Sequence, residues 1–306
     1  AVAADVKPFE DNVKKEPLIS DESALKGSPV KKEKINEAIG TTEWTLKNGI
    51  KVVIKQTPYE ADNISVQAVS DGGAAVFGDD LYYSSQMLGS VMSASGISKF
   101  SASDLRKQLA GKSVRANLGV SQYKHSVSAS AALKDVETVF QLLYLQFTAP
   151  SFSEDGFTTL MKRYDAMLAN QMTDPDFIFS QTLMNTMYGN SYRRQQLTPE
   201  LLSNIKLEHM AEIHKQLFSN AADFRFTFVG NMKPEELKPL VEKYIGSLPT
   251  AKKAGNVYTD DKVRPVKGGV ENDFRVKMEQ PKVSVFVGYS GDCKYDMKNQ
   301  IVASYL

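Results

Sequence analysis

The sequence predicts an α+β fold, and three observations carry that reading. An Asn-Gly pair sits between two apolar runs near residue 48, an apolar stripe at helical spacing runs through 134–147, and the elements follow one another as strands, a helix, strands, several helices, a strand and a helix. Clustered strands and helices suit α+β better than a doubly wound parallel sheet, in which the two alternate. With 306 residues the chain has room for two ordinary domains or one domain with large appendages.

Residues 1–40 hold seven Lys and eight Asp or Glu but a single aromatic, Phe9. That composition offers too little apolar surface to offset the entropy of ordering, so the segment reads as a charged extended linker arriving from something upstream. Compact structure is expected from 41 onward. Trp44-Thr-Leu-Lys-Asn48-Gly49-Ile-Lys-Val-Val-Ile54 has the composition of a tight hairpin. Ile64 to Ser70 alternates as a half-buried strand and closes at Gly72-Gly73, with a helix following over Leu81 to Ala94.

Ser103 is placed to cap a short helix, and Val114–Val120 with Tyr123–Ala129 reads as a second hairpin, carrying His125 in its second strand. Over Lys134 to Phe147, Val136, Val139, Phe140, Leu143 and Phe147 form one apolar stripe. Further helices are expected over Glu154–Asn170, Asp176–Tyr188 and Lys206–Leu217, then a strand over Phe224–Gly230. Pro234–Ile245 reads as a helix with proline in its first turn and Gly246 just beyond it; Pro239 should remove one backbone bond. Residues 250–269 turn Lys-, Gly- and Pro-rich, as a linker would. Val283 to Tyr289 reads as a strand and Tyr295 to Leu306 as the start of a helix that ends without a cap, so 270–306 is read as the start of a second, truncated α+β domain.

Composition removes several function classes. Lys plus Arg number 37 against 36 Asp plus Glu, which argues against a nucleic-acid module with its clustered excess of cations. No apolar run is long enough for a transmembrane segment, and no signal-peptide pattern opens the chain. The lone Cys293 excludes an intrachain disulfide and a thiolate zinc cage.

Among the three histidines, His209 and His214 are five apart, where ligands on one helix face need three or four; His125 has no nameable partner. Ala110-Gly111-Lys112-Ser113 ends like a phosphate loop, but Arg106 stands where the first glycine belongs. Neither a Gly-x-Ser-x-Gly elbow nor a Gly-x-Gly-x-x-Gly fingerprint is present. Unaided, the residues nominate no catalytic, cofactor-binding or metal-ligating set.

One stretch is distinctive: Asp223-Phe-Arg-Phe-Thr-Phe-Val-Gly-Asn-Met-Lys-Pro-Glu-Glu-Leu, continued by Leu240-Val-Glu-Lys-Tyr-Ile-Gly-Ser-Leu-Pro249. It resembles the closing motif of a half-repeat in the insulinase/pitrilysin family of zinc metallopeptidases. Leu46-Lys-Asn-Gly-Ile-Lys-Val-Val resembles that family's first hairpin, and Tyr188-Gly-Asn-Ser-Tyr its central loop. The resemblance spans about 41–306 and implies an antiparallel sheet packed against several helices. It also implies a degenerate domain over 41–249 and two halves that clamp around a peptide.

Active members carry His-x-x-Glu-His on a helix after the first strands, with a Glu from a later helix. At the matching place this chain reads Leu81-Tyr-Tyr83-Ser-Ser-Gln86-Met87-Leu, and near the third ligand only Asp165 appears. Tyr and Met are poor Zn²⁺ ligands beside imidazole, and Gln cannot take a proton from water. The resemblance therefore implies the non-catalytic half of a zinc metalloendopeptidase. Its expected role is to dock on an upstream zinc-bearing half of the same polypeptide and wall part of the chamber for a peptide or protein substrate. Zinc is expected in the partner half and no cofactor in this one. The family's substrate-holding Arg and Tyr would fall beyond Leu306. A cell-envelope or periplasmic location follows by family analogy. The alternative is a catalytically inert binding or scaffold protein of the same fold.

Overall fold

The computed structural model describes residues 16–252, 255–278, 280–291, 293, 294 and 296–305. Residues 1–15 of the expected linker, with Tyr295 and Leu306 of the expected last helix, lie outside them. The chain divides into two compact units. One runs to Ala166 and resumes over Pro199–Asp261; the other joins Met167–Thr198 to the described residues from Lys262 onward.

The first unit is built on seven strands: β1 (Val30–Asn36), β2 (Thr41–Leu46), β3 (Lys51–Gln56), β4 (Asn63–Asp71), β5 (Val114–Val120), β6 (Lys124–Ala132) and β7 (Arg225–Gly230). They lie in the order β1-β2-β3-β7-β4-β6-β5. Every ladder is antiparallel except β3–β7. The sheet is therefore mixed rather than purely antiparallel. β7 returns only after a long helical excursion, and such a crossover, unlike a tight hairpin, permits parallel pairing.

The Asn-Gly hairpin forms as its composition requires: Gly49 takes φ +94°, and the Asn48 side-chain oxygen accepts from Ile50 N–H at 3.3 Å. Alternation then sorts the strands' two faces. Val52, Ile54, Val66, Ala68, Val127, Phe226 and Phe228 are buried on one face.

Helices α1 (Asp79–Ser95), α2 (Ala102–Gln108), α3 (Val136–Thr148), α4 (Glu154–Gln171), α5 (Pro175–Met187), α6 (Pro199–Leu202), α7 (Met210–Phe218), α8 (Pro234–Lys243) and α9 (Met297–Ala303) follow in order. The stripe of α3 is the one read from its spacing: Val139, Phe140, Leu143 and Phe147 are buried, and the Phe140 ring stacks on Phe228 at 5.3 Å. For α2 the cap is Ser101 rather than Ser103. Its Oγ accepts from Asp104 N–H at 3.1 Å, because the helix starts two residues earlier than expected.

The charged leader is not all extended linker. Residues 30–36 form β1, which pairs with β2, and Leu18, Ile19 and Ser28 are buried. Ser28 N–H donates to Glu242 O at 2.9 Å, and Asn48 Nδ2 donates to Gly246 O at 3.0 Å. A Cβ on Gly246 would lie 2.4 Å from Ser28 N, so the glycine of the closing motif is where two backbones meet.

In the second unit Asp174 caps α5, the Phe179 and Phe274 rings stack at 6.0 Å, and Val266 N–H donates to Met187 O at 2.8 Å. Val283 to Tyr289, expected as a strand, forms none; Val283, Val285 and Tyr289 are exposed. Alternation supplies only side-chain patterning, and among the described residues no neighbouring strand satisfies this backbone. The expected last helix is present as α9, capped by Asp296.

Candidate functional site

Two parts of the first unit bear on function: α1, which stands where the resemblance puts the zinc helix, and the face of the sheet opposite the buried one. Asp79 and Asp80 occupy the first turn of α1, where carboxylates complement the helix dipole. Tyr82 and Tyr83 are buried edge to face at 5.4 Å; Met87 is buried and Gln86 is exposed. Ser84 is fully buried, its Oγ accepting from Lys206 N–H at 3.1 Å and lying 3.0 Å from His209 Nδ1. With Ser84 buried and His209 only partly so, the pair fastens the 204–209 turn to α1, and the serine hydroxyl is not an exposed nucleophile.

Gly89 seats the helix on the sheet, since a Cβ there would lie 2.0 Å from Leu118 O on β5. Asp165 is exposed on α4. Tyr83, Gln86, Met87 and Asp165 bring a phenol, an amide, a thioether and one carboxylate. Among the described residues, no group of three or more His, Cys, Asp or Glu is placed to hold a metal ion. This donor set does not fit zinc.

The other two histidines are structural. His125 is 1% exposed and packs in T-shaped contact with the Phe218 and Phe224 rings. Its Nε2 donates to Leu217 O at 2.9 Å, which leaves Nδ1 to accept from Gly73 N–H at 3.4 Å. Burial pushes its pKa down to about 4, partly opposed by the Leu217 carbonyl, so the ring stays neutral. His214 donates from Nε2 to Gln146 O at 2.8 Å and is likewise lowered, mainly by burial. A groove of about 460 Å³ opens beside it, lined by Tyr144, Phe147, Thr148 and Lys215 among others.

The outward face of the sheet is polar, and its rows can be read across all seven strands. One row is Lys32, Thr45, Lys51, Arg225, Val69, Ser126 and Gly119; the next is Lys34, Glu43, Val53, Thr227, Gln67, Ser128 and Asn117. Where the first row reaches β5 its side chains shrink to Ser126 and Gly119. A shallow depression of about 360 Å³ opens there, bounded by Gln67, Val69 and Lys124. The Asn-Gly hairpin that leads into Lys51 was visible in the sequence. That Lys51 lies beside Arg225 was not, because this pairing joins two distant segments.

Comparison with known proteins agrees with this architecture. Residues 204–306 match the family described as the Peptidase M16 inactive domain. The chain resembles the insulinase-like M16 peptidases, and in particular the non-catalytic half of these proteins. Its relatives include the probable zinc protease PqqL of Escherichia coli (strain K12), 27% identical over 207 residues, covering 68% of this chain and 22% of that protein. A zinc protease PQQL-like protein of Arabidopsis thaliana is 27% identical over 214 residues, covering 69% of this chain and 20% of that protein. The chain thus spans about a fifth of the length of these relatives. In fold it resembles the crystal structure of the periplasmic protease PqqL from Escherichia coli, with a TM-score of 0.69 at 23% identity, covering 83% of this chain and 27% of that one.

Proposed function

We propose that this chain is the non-catalytic half of a zinc metalloendopeptidase, docking on a zinc-bearing half of the same polypeptide and walling part of the chamber that holds a peptide substrate. The carrying observation is α1. The helix is kept and packed onto β5 through Gly89, yet it presents Tyr83, Gln86 and Met87 where zinc-binding members have ligands and a base. Retention of the helix without its chemistry suits a half whose task is shape. In this reading residues 41–249, extended by β1, form the degenerate domain and 270–306 open the next one.

The zinc and the water-activating carboxylate belong to the partner half, and this chain supplies surface. No helix of the described residues is long and apolar enough to cross a membrane. Together with the periplasmic relative, that supports a place in the cell envelope.

The test is hydrolysis of a quenched-fluorescent peptide mixture by this chain, by the zinc-bearing half, and by both together, each with and without a chelator. Silence from this chain alone and chelator-sensitive cleavage that appears on mixing is the expected result. Cleavage by this chain alone overturns the proposal. Full activity of the zinc-bearing half with no effect of adding this chain leaves an inert binding or scaffold protein of the same fold.

A further inference from the structure

The first row of the outward face places Lys51 directly beside Arg225 on adjacent parallel strands, with Lys32 two strands away from Lys51. At the usual strand spacing these three cations fall within about 15 Å. All three are exposed, and none forms an ion pair among the described residues. Lys34 and Lys55 share the same face of β1 and β3, and the one carboxylate among these positions on β1, β2, β3 and β7 is Glu43. Like charges facing each other on adjacent strands destabilise a sheet, so the fold gains nothing from this arrangement. The row continues past Val69 into the depression floored by Ser126 and Gly119, where small side chains leave room for a ligand backbone.

We propose that Lys32, Lys51 and Arg225, together with the adjoining depression, form a binding surface for acidic segments of extended polypeptide. The inference rests on the chamber-wall reading and names the class of substrate which that wall favours. Charge complementarity selects the occupant: carboxylates lie over the cationic row, while Thr45, Thr227, Ser128 and Asn117 offer hydrogen bonds to the peptide's amides. A nucleic acid fits less well. The outward positions of the seven strands carry no aromatic side chain on which a base could stack.

The experiment uses the full chain and fluorescein-labelled peptides of about eight residues, one built from Glu and Ser, one from Lys and Ser, with an oligothymidylate of similar charge as a third probe; binding is followed by anisotropy at rising salt. The Glu/Ser peptide binds best, and the preference fades as salt rises. The double variant Lys51→Glu with Arg225→Glu weakens its binding about tenfold, whereas Lys162→Glu with Lys238→Glu, an equal change of net charge on exposed helix positions, alters it less than about twofold. The neutral pair Lys51→Gln with Arg225→Gln also weakens binding and melts no lower than the parent chain, which separates loss of the surface from loss of the fold.

No preference for the acidic peptide, equal weakening by both charge-reversal pairs, or tighter binding of the oligothymidylate overturns the inference. The mixing assay with peptides of neutral composition stands apart from it. Reconstituted cleavage without acidic preference removes this inference alone. Acidic binding without reconstitution removes the chamber reading and leaves the binding surface.

Discussion

Both ring nitrogens of His125 are committed to backbone groups, one donating to Leu217 O and one accepting from Gly73 N–H, and the neutral tautomer is the form that satisfies both. Its pKa falls from 6.5 unfolded to about 4 folded. Above pH 6.5 both states hold it neutral and stability is fully present. As pH falls from 6.5 towards 4 the unfolded chain takes up a proton that the folded chain refuses, so stability drops until both states are protonated. The gap corresponds to about 3 kcal/mol, of which about 2 kcal/mol is gone by pH 5. Urea unfolding at pH 7.5 and pH 5 should show that loss, with His214 acting in the same direction. A His125→Gln variant should be less stable at pH 7.5 and less sensitive to acid; an unchanged pH slope would show that His125 does not carry the effect. Gly89→Ala is a second test at this scale. Its new Cβ would meet Leu118 O, and the clash should cost more than about 2 kcal/mol despite alanine's better helix propensity.

At the level of elements, β1 separates what the sequence shows from what packing adds. Its run Lys31-Lys-Glu-Lys34 looks like linker, and only Val30 and Asn36 at its ends are partly buried. The strand exists because β2 offers an unpaired edge, a fact about a neighbour that no local pattern contains. Deleting residues 16–36 should therefore lower the urea midpoint and cause self-association on size exclusion, since β2 would become the open edge. A linker could be removed without either effect. The opposite case is Val283 to Tyr289, whose alternation looks like a strand but finds no ladder among the described residues. By contrast, the hairpin at Asn48-Gly49, the α3 stripe and the Gly-x-Leu-Pro ending were legible, because each is set by local backbone freedom or by period. The candidate site was half legible. The loss of zinc chemistry shows in residue types at 83, 86 and 87, whereas the cationic row arises from the β3–β7 register. β7 also carries core weight: Phe228→Ala, which empties the ring stacked on Phe140, should cost about 3–5 kcal/mol in chemical unfolding.

For the whole molecule, the stabilising core of the first unit is apolar and its polar ties are hydrogen bonds. Exhaustive chelation should leave the melting temperature within about 1 °C, checked by scanning calorimetry with and without a chelator; a large drop would reveal a structural metal. The strand order has a further consequence, for synthesis. β1, β2 and β3 form a meander, β4 pairs with the β5–β6 hairpin through β6, and the strand that joins the two groups, β7, is the last of the seven to leave the ribosome. At about 5–20 residues per second, some 10–30 s pass between the emergence of β3 and that of β7. During that interval the facing edges of β3 and β4 have no partner from their own sheet. A nascent chain that stalls in this window is primed to pair with the wrong neighbour, so its exposure to chaperones is written into the topology.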